Sequence, residues 1–75
     1  MKVHVVFKES AIRSAETRDA ALRKVRNRFE LREVNEKRFA RFGILTADVD
    51  PDALPSLRGL AEVDSVEVDG RKRAV

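Results

Sequence analysis

Few residues in this chain could do chemistry. His4 is the only histidine. It falls on the polar side of an alternating segment, with no second histidine, carboxylate cluster or nucleophile motif beside it, so a solvated residue is expected rather than a general base. Ser10, Ser14, Ser56 and Ser65 lie at caps and turns, where hydroxyls serve the backbone. Gly43, Gly59 and Gly70 are scattered and build no phosphate-cradling loop. With no cysteine there is no disulfide, thiolate metal site or cysteine nucleophile, and the remaining side chains supply no metal-ligand set. No enzyme and no cofactor are expected.

Carboxylates are what remain. Glu67 and Asp69 alternate with Val66 and Val68 in the run Val63-Asp64-Ser65-Val66-Glu67-Val68-Asp69. One face of that strand is therefore apolar and the other carries the acids. Gly70 ends the strand, and Arg71, Lys72, Arg73, Ala74 and Val75 offer too little apolar surface to pack. An extended, exposed tail is expected over residues 71–75, following a domain over residues 1–70. A strand that presents acids and leads into such a tail suits docking better than catalysis.

The elements that must position this strand read in order. Residues 2–8 alternate, with Val3, Val5 and Phe7 on one face and Lys2, His4, Val6 and Lys8 on the other, which predicts a first strand. Ser10 or Ser14 caps a helix whose apolar positions Ile12, Ala15, Leu22, Val25 and Phe29 recur at three- and four-residue spacing. Asp19 and Arg23 are paired one turn apart, and the helix ends near residues 28–32. A second strand is expected over residues 31–39 and a third over residues 42–49, joined by a hairpin at Ala40 and Arg41. Asp50-Pro51-Asp52 starts a short helix with a capping acid, a proline in the first turn and an acid at the positive end. Its buried stripe is Leu54, Leu57, Leu60 and Ala61. The β-α-β-β-α-β order predicts an α+β, ferredoxin-like sandwich, a four-stranded antiparallel sheet with two helices on one face.

The other sheet face is then open to water. Val6, Phe42 and Ile44 fall on it, edged by Glu67 and Asp69. Isolated apolar residues are ordinary on a surface, but a binding surface built from these three is the other reading, and the pattern leaves both open.

Length, charge and hydropathy limit the partners. The chain has 75 residues, one domain near the size at which a single core is marginally stable. No apolar run approaches membrane-spanning length, and residues 1–10 lack a signal-peptide core, so with Met1 as the start a cytoplasmic protein without membrane contact is expected. The net charge is +3. Residues 13–41 carry ten basic and five acidic side chains, whereas residues 42–70 carry one and seven. The basic half invites a nucleic-acid reading, but the acidic half lies within a small domain's radius of any bound phosphate and repels it. A solvated arginine-rich helix face is the plainer account. The best local case for RNA is Arg38-Phe39-Ala40-Arg41-Phe42, with Phe39 and Phe42 as stacking platforms. It lacks the glycine-aromatic signature of RNA-recognition strands. Binding of single-stranded nucleic acid stays as the alternative, and a dimerising regulatory module is a third possibility.

Several segments resemble the subtilisin propeptides and the stand-alone protease inhibitors similar to them. His4-Val5-Val6-Phe7-Lys8-Glu9 is similar to that family's opening strand, and Arg41-Phe42-Gly43-Ile44 to the start of its third strand. Pro51-Asp52-Ala53-Leu54, Leu57-Arg58-Gly59-Leu60 and the run from Val63 to Asp69 resemble its second helix and last strand; the first helix and second strand match only in outline. The resemblance implies a domain, monomeric when free, that inhibits a subtilisin-like serine protease and assists its folding as an intramolecular chaperone. In that family the sheet face packs on two protease helices and acids of the last strand cap their N-termini, a role carried here to Glu67 and Asp69. The tail then lies in the substrate cleft as a bound product. Val75 enters the primary pocket, Ala74 and Arg73 precede it, Lys72 meets the fourth subsite, and Arg71 leads in. Family proteases favour large apolar residues in the first pocket and apolar ones in the fourth, so Val75 and Lys72 depart from the pattern. The absence of a protease domain on the chain favours a separate inhibitor over a processed pro-region.

Overall fold

A computed structural model describes residues 1–69; the tail expected over residues 71–75 lies outside the described residues. The alternation of Val3, Val5 and Phe7 becomes β1 (Lys2–Phe7), with those three side chains in the core. After a short turn of 3-10 helix at Glu9–Ala11, α1 spans Ala15–Arg28. Its start is a reciprocal cap: the Thr17 N–H donates to Ser14 Oγ at 3.2 Å and the Ser14 N–H donates to Thr17 Oγ1 at 3.1 Å, which satisfies two amides that have no partner within the helix. Glu16 stands at the positive end of the helix and Arg26 and Arg28 at the negative end, complementing its dipole.

The buried stripe of α1 differs from expectation at its beginning. Ala21 and Val25 are buried, with Leu22 and Phe29 partly so, whereas Ala15 is exposed and Ile12 precedes the helix. Asp19 and Arg23 form no ion pair. The helix instead reaches acids elsewhere in the chain, Lys24 to Glu62 at 2.9 Å and Arg26 to Glu36 at 2.8 Å.

The middle of the chain corrects two expectations. β2 is confined to Arg32–Asn35, and Phe39–Phe42 is a single helical turn, α2, not the end of one strand and the start of the next. Burial of Phe39 decides this. Its ring is 4% exposed and meets Phe7 edge to face, with centroids 5.2 Å apart, a favoured aromatic arrangement. The turn closes at Gly43, whose N–H donates to the Phe39 carbonyl at 2.9 Å and whose φ is 68°. A side chain at that φ is strained, and a Cβ there would stand 2.6 Å from Ile12 Cδ1. Gly43→Ala is expected to cost about 1–2 kcal/mol through the left-handed backbone. In a thermal melt followed by circular dichroism that is a fall in Tm of roughly 4–8 °C per kcal/mol; an unchanged Tm would contradict it.

β3 (Ile44–Asp48) leads into Asp50, whose carboxylate accepts from the Asp52 N–H at 3.1 Å and starts a 3-10 turn at Pro51–Ala53. That turn continues as α3 (Leu54–Arg58). Leu57 is fully buried and Leu60 nearly so, but Ala61 is exposed, because the helix ends at Arg58 and the following turn carries only Leu60 into the core. β4 is Val63–Val68.

The sheet order is β2-β3-β1-β4 with every neighbouring pair antiparallel. α1 and α3 cover one face, giving the ferredoxin-like α+β sandwich. On β4 the register shifts, so that Val6 opposes Ser65 while Phe7 opposes Val63. Asp64 is the extra residue of this bulge, and the buried pair is Val63 and Val66. Val68, expected on the covered apolar face, does share the side of its neighbour Val3 but is 42% exposed. It stands at the outer end of an edge strand, with a neighbouring strand on one side only. Among the described residues no helix is long and apolar enough to cross a membrane.

Candidate functional site

The face of the sheet opposite the helices is organised by register into three rows. Pairing across the strands aligns Arg32, Asp48 and Lys2, with Asp69 joined to them through its N–H, which donates to the Lys2 carbonyl at 2.9 Å. The next row is Asn35, Thr46, His4 and Glu67. The third is Ile44, Val6 and Ser65.

Each row has its own electrostatic character. In the first, the charges largely offset one another, three cations against two carboxylates: the Met1 ammonium hydrogen-bonds Asp48, Arg32 Nε lies 3.5 Å from the same carboxylate, and Lys2 Nζ lies 3.8 Å from Asp69. The ammonium's hydrogen bond, aided by the charge of Arg32, holds the Asp48 carboxyl below its ordinary range. Such exposed pairs contribute little stability; their effect is to leave this row with no strong net field. In the second, His4 Nδ1 and Thr46 Oγ1 are 2.8 Å apart. The third is apolar, with Val6 and Ile44 directly opposite each other and both half-buried.

The expected site residues are thus partly brought together. Val6 and Ile44 are cross-strand neighbours. Phe42 is 60% exposed at the same end of the sheet, two residues ahead of Ile44, but it is carried by α2 and not by a strand, and the Arg41 guanidinium lies 6.0 Å from its ring centroid. Glu67 and Asp69 both point outward, Glu67 exposed opposite His4 and Asp69 against Lys2. Arg71, Lys72, Arg73, Ala74 and Val75 lie outside the described residues. Phe39, a stacking platform on the nucleic-acid reading, is in the core.

Sequence reasoning missed the polar centre of this face. Asn35, Thr46 and His4, with Lys2 and the following Lys37 and Arg38, line a pocket of about 270 Å³. Period-two alternation puts His4 and Thr46 on the outward side, but only the register between strands makes them neighbours. Among the described residues no group of three or more His, Asp and Glu side chains is placed to hold a metal ion.

The fold and this face define a class: a ferredoxin-like α+β domain with one helix-covered sheet face and one open face of mixed character. No protein-family model matches the chain, no curated protein matches it, and no solved structure matches it.

Proposed function

We propose that this domain is a cytoplasmic inhibitor of a subtilisin-like serine protease, and an aid to that protease's folding. It docks by the open sheet face and inserts the residues after β4 into the active-site cleft. One observation carries the reading: the last strand turns two acids, Glu67 and Asp69, outward at alternate positions on the same open face as the apolar Val6–Ile44 pair, Glu67 one row and Asp69 two rows along from it, in the segment that most resembles the subtilisin propeptides. Helix N-termini present unpaired N–H groups and partial positive charge, so two carboxylates on a rigid strand can cap two partner helices. Val6, Ile44 and Phe42 supply the apolar contact at the other end of that face, and residues 71–75 add strand-like hydrogen bonds in the cleft.

Inhibition of a subtilisin by the full chain tests this directly, beside a titration with a single-stranded oligonucleotide. Removing residues 71–75 is expected to abolish or greatly reduce inhibition while leaving the melting curve of the domain unchanged. A shortened chain that inhibits as strongly as the full one would sink cleft insertion. Glu67→Ala combined with Asp69→Ala is expected to weaken inhibition by about tenfold or more, since a carboxylate at a partly buried helix end contributes up to about 2 kcal/mol. Unimpaired inhibition by the folded double variant would remove the capping role.

The nucleic-acid reading retains one favourable observation, the exposure of Phe42 beside Arg41. It predicts saturable oligonucleotide binding that weakens steeply with salt, and Phe42→Ala is the variant that would diminish it.

A further inference from the structure

The pocket at the centre of the open face has a composition that docking by apolar contact does not use. Its floor is the row Asn35, Thr46 and His4, and its walls are Lys2, Lys37 and Arg38. Every lining side chain can donate a hydrogen bond. The Asn35 Oδ1 already accepts from the Lys37 N–H at 2.9 Å, which leaves the amide NH2 to donate outward. The His4–Thr46 contact keeps a donor free whichever way its proton lies. If Thr46 donates to Nδ1, the ring carries its proton on Nε2; if Nδ1–H donates to Thr46, the hydroxyl proton is free.

The charges around the pocket point the same way. Asp48 is held by the Met1 ammonium and Arg32, Asp69 by Lys2, and Glu36 by Arg26. Lys37 and Arg38 have no ion pair among the described residues. Glu67 is the acid left facing this row, at its far end beyond His4. A site with ammonium, guanidinium, amide, hydroxyl and imidazole donors, and with the neighbouring acids largely engaged, selects an oxyanion. A phosphate group presents more oxygens and more charge than a carboxylate, so it engages more of these donors at once.

We propose that this pocket binds a phosphate group, free or carried by a small molecule, in the free domain; it lies on the same open face as the proposed protease contact, but its binding does not rest on that reading. The test is a two-dimensional amide NMR titration of the full chain at constant ionic strength. Inorganic phosphate, phenyl phosphate and sodium chloride are the probes, and a single-stranded oligonucleotide is a separate arm. Saturable shifts confined to the amides of His4, Asn35, Lys37, Arg38 and Thr46 are expected with both phosphates and not with chloride. Tighter binding of phenyl phosphate than of inorganic phosphate would identify an ester as the ligand, and the reverse order free phosphate; both support the site. Lys37→Ala with Arg38→Ala replaces exposed side chains, so an unchanged melt is expected together with at least a tenfold loss of phosphate affinity. Shifts that spread along the arginines of α1, equal shifts with chloride, or full affinity in the double variant would overturn the proposal. Saturable binding of the oligonucleotide alone would overturn it in favour of a nucleic-acid surface.

Discussion

On the proposed function, Ile44→Asp is expected to keep the domain folded and to remove inhibition of a subtilisin, with a loss of affinity of roughly 100-fold or more. The side chain lies half-buried on the open face opposite Val6, so in the free domain an aspartate there still reaches water and costs far less than in the core. In the proposed complex the same position is covered. A carboxylate trapped in an interface without a partner costs about 3–5 kcal/mol, and every 1.4 kcal/mol is a factor of ten in affinity. The checks are an inhibition titration and a thermal melt of the same preparation. A folded variant that inhibits like the parent would show that the Val6–Ile44 pair is not in the interface, whatever the tail does. An unfolded variant would contradict the assignment of Ile44 to the open face.

Leu57→Ala is expected to have the largest effect on the fold. Leu57 is fully buried and is the only buried residue within α3, a helix of five residues that has too few turns to persist without packing. Truncating a buried leucine to alanine costs about 2–5 kcal/mol, from lost burial and the cavity left behind. A domain of this size seldom holds more than about 3–5 kcal/mol in total. The variant should therefore be partly or wholly unfolded at 25 °C by circular dichroism and by the collapse of amide NMR dispersion. A cooperative melt within a few degrees of the parent would mean that the core beneath α3 collapses to fill the space, and that α3 is held mainly by the turn at Leu60.

The two variants act on opposite faces of one sheet, and the sequence already separates those faces. Val3, Val5 and Phe7 against His4 and Val6, and Leu45 and Ala47 against Ile44 and Thr46, follow from the two-residue period of a strand. The Ser14 cap and the Asp50-Pro51 start are equally local, because a cap needs only the residue and the next three amides. Hence the order of the four strands and the two helices α1 and α3, the antiparallel sheet and the outward direction of Glu67 are legible in the chain.

Other features have no local signature. Phe39–Phe42 is too short for a helical period to stand out from a strand, and what makes it helical is the space beside Phe7 that only the Phe39 ring fills. Ala15 and Ala61 match a buried stripe by spacing, yet each sits where its helix begins or has already ended. Lys24 finds Glu62 across 38 positions of sequence, and Asn35, Thr46, His4 and Glu67 become a row only when four separate strands take up one register. The bulge at Asp64 then shifts the first half of β4 by one residue against β1, which alternation within β4 does not encode. What the sequence determined by itself was each strand's two faces and each helix's start, since both depend on a few neighbouring residues. Which side chains meet across those faces, and so the pocket and the apolar pair on the open face, was decided by tertiary pairing, where the energy lies between residues far apart in the chain.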